Sequence, residues 1–272
     1  MQNRIDTKLK EARDEGRTIL APFVTIGFPT IQMSSEVITS VLEAGSDMLE
    51  LGIAFSDPLA DGPTIQKTSF AALKNGVTVH TALEVVRKLR EQGTKAPFIY
   101  MGYYNPFLRY GTTAFARDAI TAGADGVIVP DLPTEEAGPF KSVCESHGLY
   151  LIPLLAPTST DKRIKQACLN AKGFIYCVSL MGVTGARRGL RSDIKPLVDR
   201  IRKHTDLPII IGFGVSSRQD VEEIGMIADG AVVGSALLDR IDRASTEDIP
   251  EVARNFIKSL IPSERINNKY KD

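Results

Sequence analysis

The sequence predicts an α/β chain folded as a single (β/α)8 barrel (a TIM barrel) with an additional N-terminal helix, and three observations carry that expectation. Eight short runs rich in Val, Ile, Leu and aromatics recur along the chain, each is followed by a stretch of helical period, and no linker or low-complexity tract interrupts the 272 residues. The runs are nearly continuous in apolar character rather than alternating, as parallel strands covered by helices are. Parallel crossovers are short and right-handed, so eight such units in a chain of this length close into a barrel.

In order, the expected strands are Ile19–Phe28, Met48–Phe55, Phe98–Tyr104, Gly126–Leu132, Tyr150–Ala156, Phe174–Leu180, Ile209–Val215 and Ala231–Leu237. Ile5–Glu15 reads as a helix before the first strand, within an N-terminal helical segment over residues 1–16 that would plug the N-terminal end of the barrel. "SVLEAGSD" closes a helix with Gly45 before the second strand. Thr134-Glu135-Glu136 after Pro133 opens a helix ending near Gly148, its acidic first turn matching the helix dipole, and Ser216-Ser217 caps another. Residues 1–272 are read as one domain, with a polar tail over 263–272 that frays.

Composition narrows the function. Lys+Arg and Asp+Glu both number 33, so no net field draws nucleic acid or an anionic membrane to the chain. The N-terminus alternates charges, and no apolar run is long enough to span a bilayer, which points to the cytoplasm. Cys144, Cys168 and Cys177 are odd in number and widely spaced, arguing against a disulfide framework or a CxxC metal site. His80, His147 and His204 are scattered, which argues against a zinc site or a Ser-His-Asp triad.

The chemistry is sought at the C-terminal ends of the strands, in the βα loops. Glu50 interrupts the apolar second run between Met48, Leu49, Leu51 and Ile53, so its carboxyl points into the barrel or toward the helices and is poorly solvated either way. Desolvation raises a carboxyl pKa toward neutrality, the condition for acid and base work; a buried ion pair with a helix Arg or Lys is the structural alternative. "SDPLADGP" is a loop, which puts Asp57 and Asp61 on the same face. Either aspartate alone reads as a turn former; Asp61 gains weight from sharing the loop and face with Glu50.

Three glycine-bearing segments end the sixth, seventh and eighth runs: "GVTG" (Gly182–Gly185), "GFGVSS" (Gly212–Ser217) and "GSA" (Gly234–Ala236). Glycine admits an oxyanion close to the backbone and helix N-termini stabilise it, so these segments predict a phosphate site. They match neither a dinucleotide fingerprint nor a P-loop.

"LELGIAFSDPLADGPTIQ", "GVTGARRG", "GFGVSS" and "VVGSAL", with "RIDTKLKEARDEGR" and "PFVTIGFP" before them, resemble the signature segments of the tryptophan synthase alpha subunit family, in order and spacing. The resemblance covers nearly the whole chain. It implies cleavage of indole-3-glycerol phosphate to indole and glyceraldehyde 3-phosphate, with Glu50 as acid and base and Asp61 at the indole nitrogen. It implies Phe23 against the indole, Tyr176 beside the substrate, and Gly185, Gly214, Gly234 and Ser235 around the phosphate. It further implies an α2β2 complex in which indole passes through a tunnel to a pyridoxal-phosphate beta subunit, with no cofactor on this chain.

Retro-aldol cleavage needs an electron sink, usually a lysine Schiff base or a metal. No lysine lies within the expected strands, so the substrate supplies the sink: protonated at C3, indole becomes an indolenine that accepts the electrons. Ala54 stands where the family usually has proline, in the loop that faces the beta subunit, and Leu180 stands where some members carry arginine. Arg187 and Arg188 fall in the sixth loop, as phosphate ligands or as a solvated tip. "YMGYYNPFLRYG" after the third strand suggests exposed aromatics; by resemblance Asn105, Pro106 and Phe107, with Ala54 and Asp57, approach the partner, while packing of Tyr100 and Phe107 in the core is the alternative. A stand-alone lyase, or a weakly catalytic subunit that mainly activates a beta subunit, remain as further readings.

Overall fold

The computed structural model describes residues 3–178, 190–212 and 214–262. Nine parallel strands form one sheet: β1 (Ile19–Thr25), β2 (Leu49–Gly52), β3 (Phe98–Met101), β4 (Gly126–Ile128), β5 (Tyr150–Ile152), β6 (Leu154–Leu155), β7 (Ile175–Val178), β8 (Ile209–Gly212) and β9 (Gly230–Val233). Hydrogen-bonded neighbours run in the order β5-β4-β3-β2-β1-β9-β8-β7-β6. The two ends of that order, β5 and β6, are consecutive in the chain, so the ring closes through covalent continuity at Pro153 and the fold is the expected TIM barrel.

The count of nine corrects the expected eight. The fifth run divides because Pro153 has no N–H for the ladder. Tyr150–Ile152 pairs with β4, whereas Leu154–Leu155 pairs with β7, and the Pro153 carbonyl still accepts from Tyr176 N–H at 3.0 Å. The sixth, seventh and eighth expected runs are therefore β7, β8 and β9, and each strand is shorter than its apolar run because the runs continue into the βα loops.

Twelve helices surround the described barrel: α1 (Arg4–Glu15), α2 (Ile31–Glu43), α3 (Pro63–Lys74), α4 (Val79–Glu91), α5 (Tyr104–Tyr110), α6 (Thr112–Ala122), α7 (Gly138–His147), α8 (Asp161–Cys168), α9 (Leu190–Arg202), α10 (Arg218–Gly225), α11 (Ser235–Arg243) and α12 (Ile249–Leu260). The helix after Pro133 starts later than expected, at Gly138. Thr134–Glu136 form a preceding turn in which Glu136 and Ala137 N–H both bond the Pro133 carbonyl, and Pro139 sits in the first turn of the helix, where its missing N–H costs nothing. Ser217 caps α10 as expected, in a reciprocal box with Asp220.

α1 lies across the N-terminal end of the barrel, as its position before β1 suggested. Ile5, Leu9 and Ala12 are buried, and the Ile5 side chain reaches the backbone at Gly126 and Gly173, where β4 and β7 begin. Burying one such isoleucine stabilises by about 1.5–3 kcal/mol. Polar bonds fix the register: Asn3 donates to the Asp125 carbonyl at 3.0 Å and the Tyr150 hydroxyl donates to Asp6 at 2.7 Å.

Around that end a pattern recurs. Asp47 accepts from Leu20 N–H at 2.9 Å, Asp125 from Phe98 N–H at 2.8 Å and Asp229 from Ile209 N–H at 2.8 Å. Each carboxylate stands just before its own strand, bonds an amide at the start of the neighbouring strand, and pairs with an arginine: Arg17 with Asp47, Arg90 and Arg4 with Asp125 at 2.9 Å each, and Arg202 with Asp229. Among the described residues no helix is long and apolar enough to cross a membrane.

Candidate active site

Period-two alternation along β2 turns Leu49 and Leu51 toward the helices and Glu50 and Gly52 into the barrel. In the parallel register Glu50 is the partner of Phe23 on β1, and both side chains point inward. Two glycines make room for the rings beside it. A Cβ on Gly52 would stand 2.4 Å from the Phe23 ring, and one on Gly212 would stand 2.0 Å from the Tyr176 hydroxyl oxygen, so neither strand position admits a side chain without moving an aromatic.

Glu50 is only 2% exposed. Its Oε2 accepts from the Tyr176 hydroxyl at 3.2 Å across the barrel, while Oε1 is buried with no partner among the described residues. Among the described residues Glu50 has no ion-pair partner, the alternative offered for it. Burial drives the Glu50 carboxyl up to about 8; the Tyr176 bond opposes the rise and the nearby charge of Asp61 adds to it. Tyr176 is itself pushed up, by burial and by Glu50, and stays a donor. A buried polar atom left unpartnered is rare and invites a functional explanation.

Asp61 sits at the end of the β2–α3 loop, before the Gly62 cap and Pro63 of α3. Burial raises its carboxyl to about 6, and a hydrogen bond from the Tyr103 hydroxyl holds it back. The same phenolic oxygen accepts from Ala60 N–H at 2.9 Å. Sequence reasoning missed Tyr103; the signal was the aromatic density after β3, which was assigned instead to an exposed surface. Phe23, Thr25, Gly52, Ile53, Ala54, Asp61 and Tyr103 are among the residues around a small cavity that opens to solvent at the C-terminal end.

The glycine segments differ from one another. Gly214 follows β8 with φ 58°, but the amides of Ser216 and Ser217 beyond it already bond Asp220 at 2.8 Å, so that helix start is satisfied internally. Gly234 and Ser235 open α11 without a side-chain cap, and the first intrahelical bonds begin with Leu237 and Leu238 N–H. Among the described residues nothing accepts from the leading amides of α11, which leaves their donors for an external acceptor. Gly185, Leu180, Arg187 and Arg188 lie outside the described residues.

The expected surface set divides. Asp57 and Asn105 are exposed and Pro106 is half-buried. Ala54 is 8% exposed and faces the cavity. Phe107 is fully buried, its ring 4.3 Å from Phe115 and 6.2 Å from Phe140 between centroids, which corrects the expectation that it contributes to an exposed aromatic surface. α5 turns Phe107 onto α6 and α7 and leaves Leu108 outside, and Tyr100 is likewise core, donating to the Ala82 carbonyl. Among the described residues no three His, Cys, Asp or Glu side chains gather to hold a metal ion.

A closed parallel barrel with two desolvated carboxyls at the C-terminal ends of its strands, beside a helix N-terminus with free amides, defines a TIM-barrel enzyme of the acid–base type. Comparison with known proteins narrows the class. The family model described as tryptophan synthase alpha chain matches residues 9–264. The tryptophan synthase alpha chain of Roseiflexus sp. (strain RS-1) is 47% identical over 258 residues, covering 95% of this chain and 99% of the relative. That of Chloroflexus aggregans is 44% identical, covering 97% of this chain and all of the relative. The crystal structure of tryptophan synthase subunit alpha from Legionella pneumophila str. Paris superposes with a TM-score of 0.89 at 34% identity, over 96% of this chain and 97% of the other. The chain belongs to the tryptophan synthase alpha chain family. It is a lyase of the indole-3-glycerol phosphate cleavage half-reaction.

Proposed function

We propose that this chain cleaves indole-3-glycerol phosphate with Glu50 as the proton carrier and Asp61 as the anion that steadies the indole nitrogen, needing no cofactor of its own. The supporting observation is Glu50: a buried carboxyl with one oxygen tied to Tyr176 and the other unpartnered, raised to a range where it both gives and takes a proton. Protonated Glu50 delivers its hydrogen to C3 of the indole, and positive charge develops at the ring nitrogen, whose N–H donates to ionised Asp61. The carboxylate left on Glu50 then takes the hydrogen of the hydroxyl on the carbon attached to C3. That carbon becomes the aldehyde carbon of glyceraldehyde 3-phosphate, the bond to C3 breaks, and its electrons restore the neutral indole. One proton leaves Glu50 and one returns.

Phe23 and Tyr176 would flank the ring, and the open amides of α11 at Gly234 and Ser235, with Gly214, would take the phosphate; Gly185 completes the set that the family resemblance implies. We further assign this chain as the alpha half of an α2β2 assembly with a pyridoxal-phosphate beta subunit. Exposed Asp57 and Asn105, half-buried Pro106, and Leu59, which is 91% exposed at the apex of the β2–α3 loop, support that face as the contact. Three buried free cysteines suit the reducing cytoplasm.

Indole release from indole-3-glycerol phosphate, measured with and without a pyridoxal-phosphate beta subunit, tests the proposal. Release that a chelator leaves unchanged and that the beta subunit stimulates is expected. Normal cleavage by Glu50→Gln would overturn the assigned chemistry, and absence of stimulation would overturn the assembly.

A further inference from the structure

The second βα loop carries Asp61, and three side chains from outside it hold it down. Ser69 on α3 brackets its start, accepting from Phe55 N–H at 2.9 Å and donating to the Phe55 carbonyl at 3.0 Å. Gln66 donates to the Asp61 carbonyl at 2.9 Å. Both act on backbone. Tyr103, 5% exposed just beyond β3, does more: its ring stacks on Phe55, with centroids 5.2 Å apart, and its hydroxyl oxygen accepts at 2.9 Å from the N–H of Ala60, the residue before Asp61. A phenol has one hydrogen. Ala60 N–H occupies an oxygen lone pair and leaves that hydrogen to turn toward the neighbouring Asp61 carboxyl, whose rise the hydroxyl opposes.

We infer that Tyr103 is a positioning residue for this reaction, its hydroxyl tying the second βα loop at Ala60 to the end of the third strand and so holding the adjacent Asp61 at the cavity. The inference rests on the reading of Asp61 as the anion at the indole nitrogen. The groups facing Asp61 are Glu50 from β2, Tyr176 from β7 and Tyr103 itself, with Asp131 behind Tyr103 on the Tyr104 amide; among the described residues no cation contributes to holding Asp61 ionised. The hydroxyl is thus the described donor that favours the charged form. Burial pushes the phenol up, so it remains a donor throughout the working range.

The test is steady-state cleavage of indole-3-glycerol phosphate from pH 5 to 9 by wild type, Tyr103→Phe, Asp61→Asn and the double variant, each checked for fold by circular dichroism. Tyr103→Phe should lose about tenfold in kcat/KM at pH 7, the size of one hydrogen bond to a charged group. Its acidic limb should move to higher pH, so that much of the loss is recovered near pH 8. The double variant should be no slower than Asp61→Asn, because the hydroxyl acts through that carboxylate. A loss equal at every pH, or one that adds fully to that of Asp61→Asn, would reduce Tyr103 to packing and overturn the inference alone. Wild-type activity in Asp61→Asn would overturn the underlying reading as well.

Discussion

At the N-terminal end of the barrel Asp47, Asp125 and Asp229 each accept an amide from the start of a neighbouring strand and each meets an arginine; at the C-terminal end Glu50 and Asp61 meet tyrosine hydroxyls and, among the described residues, no cation. Burial pushes Asp47, Asp125, Glu50 and Asp61 upward alike. Below, guanidinium groups and strand amides pull Asp47 and Asp125 back. Above, among the described residues Tyr176 alone opposes the rise of Glu50, which climbs to about 8. One side-chain chemistry thus suits two purposes according to its partners: paired carboxylates register strands, and under-paired ones are left with raised proton affinity, as the proposed reaction requires of Glu50.

The sharpest way to break this contrast is Glu50→Gln. Loss of the proton carrier should lower kcat by about 10³-fold or more, while the fold gains or keeps stability because an unpartnered buried carboxyl becomes a neutral amide. Cleavage rate and thermal denaturation, measured on the same sample, should move in opposite directions. Asp125→Ala should do the reverse: it strands Arg90 and frees the Phe98 amide, costing about 3–5 kcal/mol in chemical denaturation with little change in kcat. A large kcat effect there, with stability intact, would erase the distinction between the two ends.

Stability against pH gives a third, smaller signal, and its sign follows from the direction of the shift. Glu50 is raised from 4.5 to about 8, so the folded state holds a proton that the unfolded chain releases between those values. Its contribution is full below about pH 4.5 and is lost as pH rises through about 8. Wild type should therefore lose stability relative to Glu50→Gln by at most about 1.4 kcal/mol per pH unit across that window. A gap constant from pH 5 to 8 would contradict the raised carboxyl. Turnover should rise through about pH 6 as Asp61 ionises and fall through about pH 8 as Glu50 does. Tyr176→Phe, the mildest change, removes the bond that opposes the Glu50 shift, so the alkaline limb should move upward with a loss of about tenfold or less in kcat.

Much of this was legible in the sequence, because its carriers are local. Apolar runs of strand length marked every strand, and a glutamate inside one of them marked the site. What escaped depended on distance. The break in the fifth strand is a matter of which neighbour each half finds, β4 or β7, on either side of Pro153. The partner of Glu50 is 126 residues away and that of the Ala60 amide is 43, so neither Tyr176 as a hydrogen-bond donor nor Tyr103 as a loop anchor follows from spacing. Phe107 was misjudged for the same reason: an aromatic cluster after a strand reads as surface until α6 and α7 bring Phe115 and Phe140 against it.

The ladder between β1 and β9 joins residues 19–22 to residues 230–233. A chain emerging from the ribosome therefore carries β1 with one edge unpaired until residues 230–233 have been made, and α2 waits longer still for α12 to cover it. Interrupted synthesis or truncation before residue 230 leaves a bare strand edge and an uncovered apolar helix face on the same fragment. Quality-control proteases and chaperones would find such a fragment easy to tell from the closed barrel.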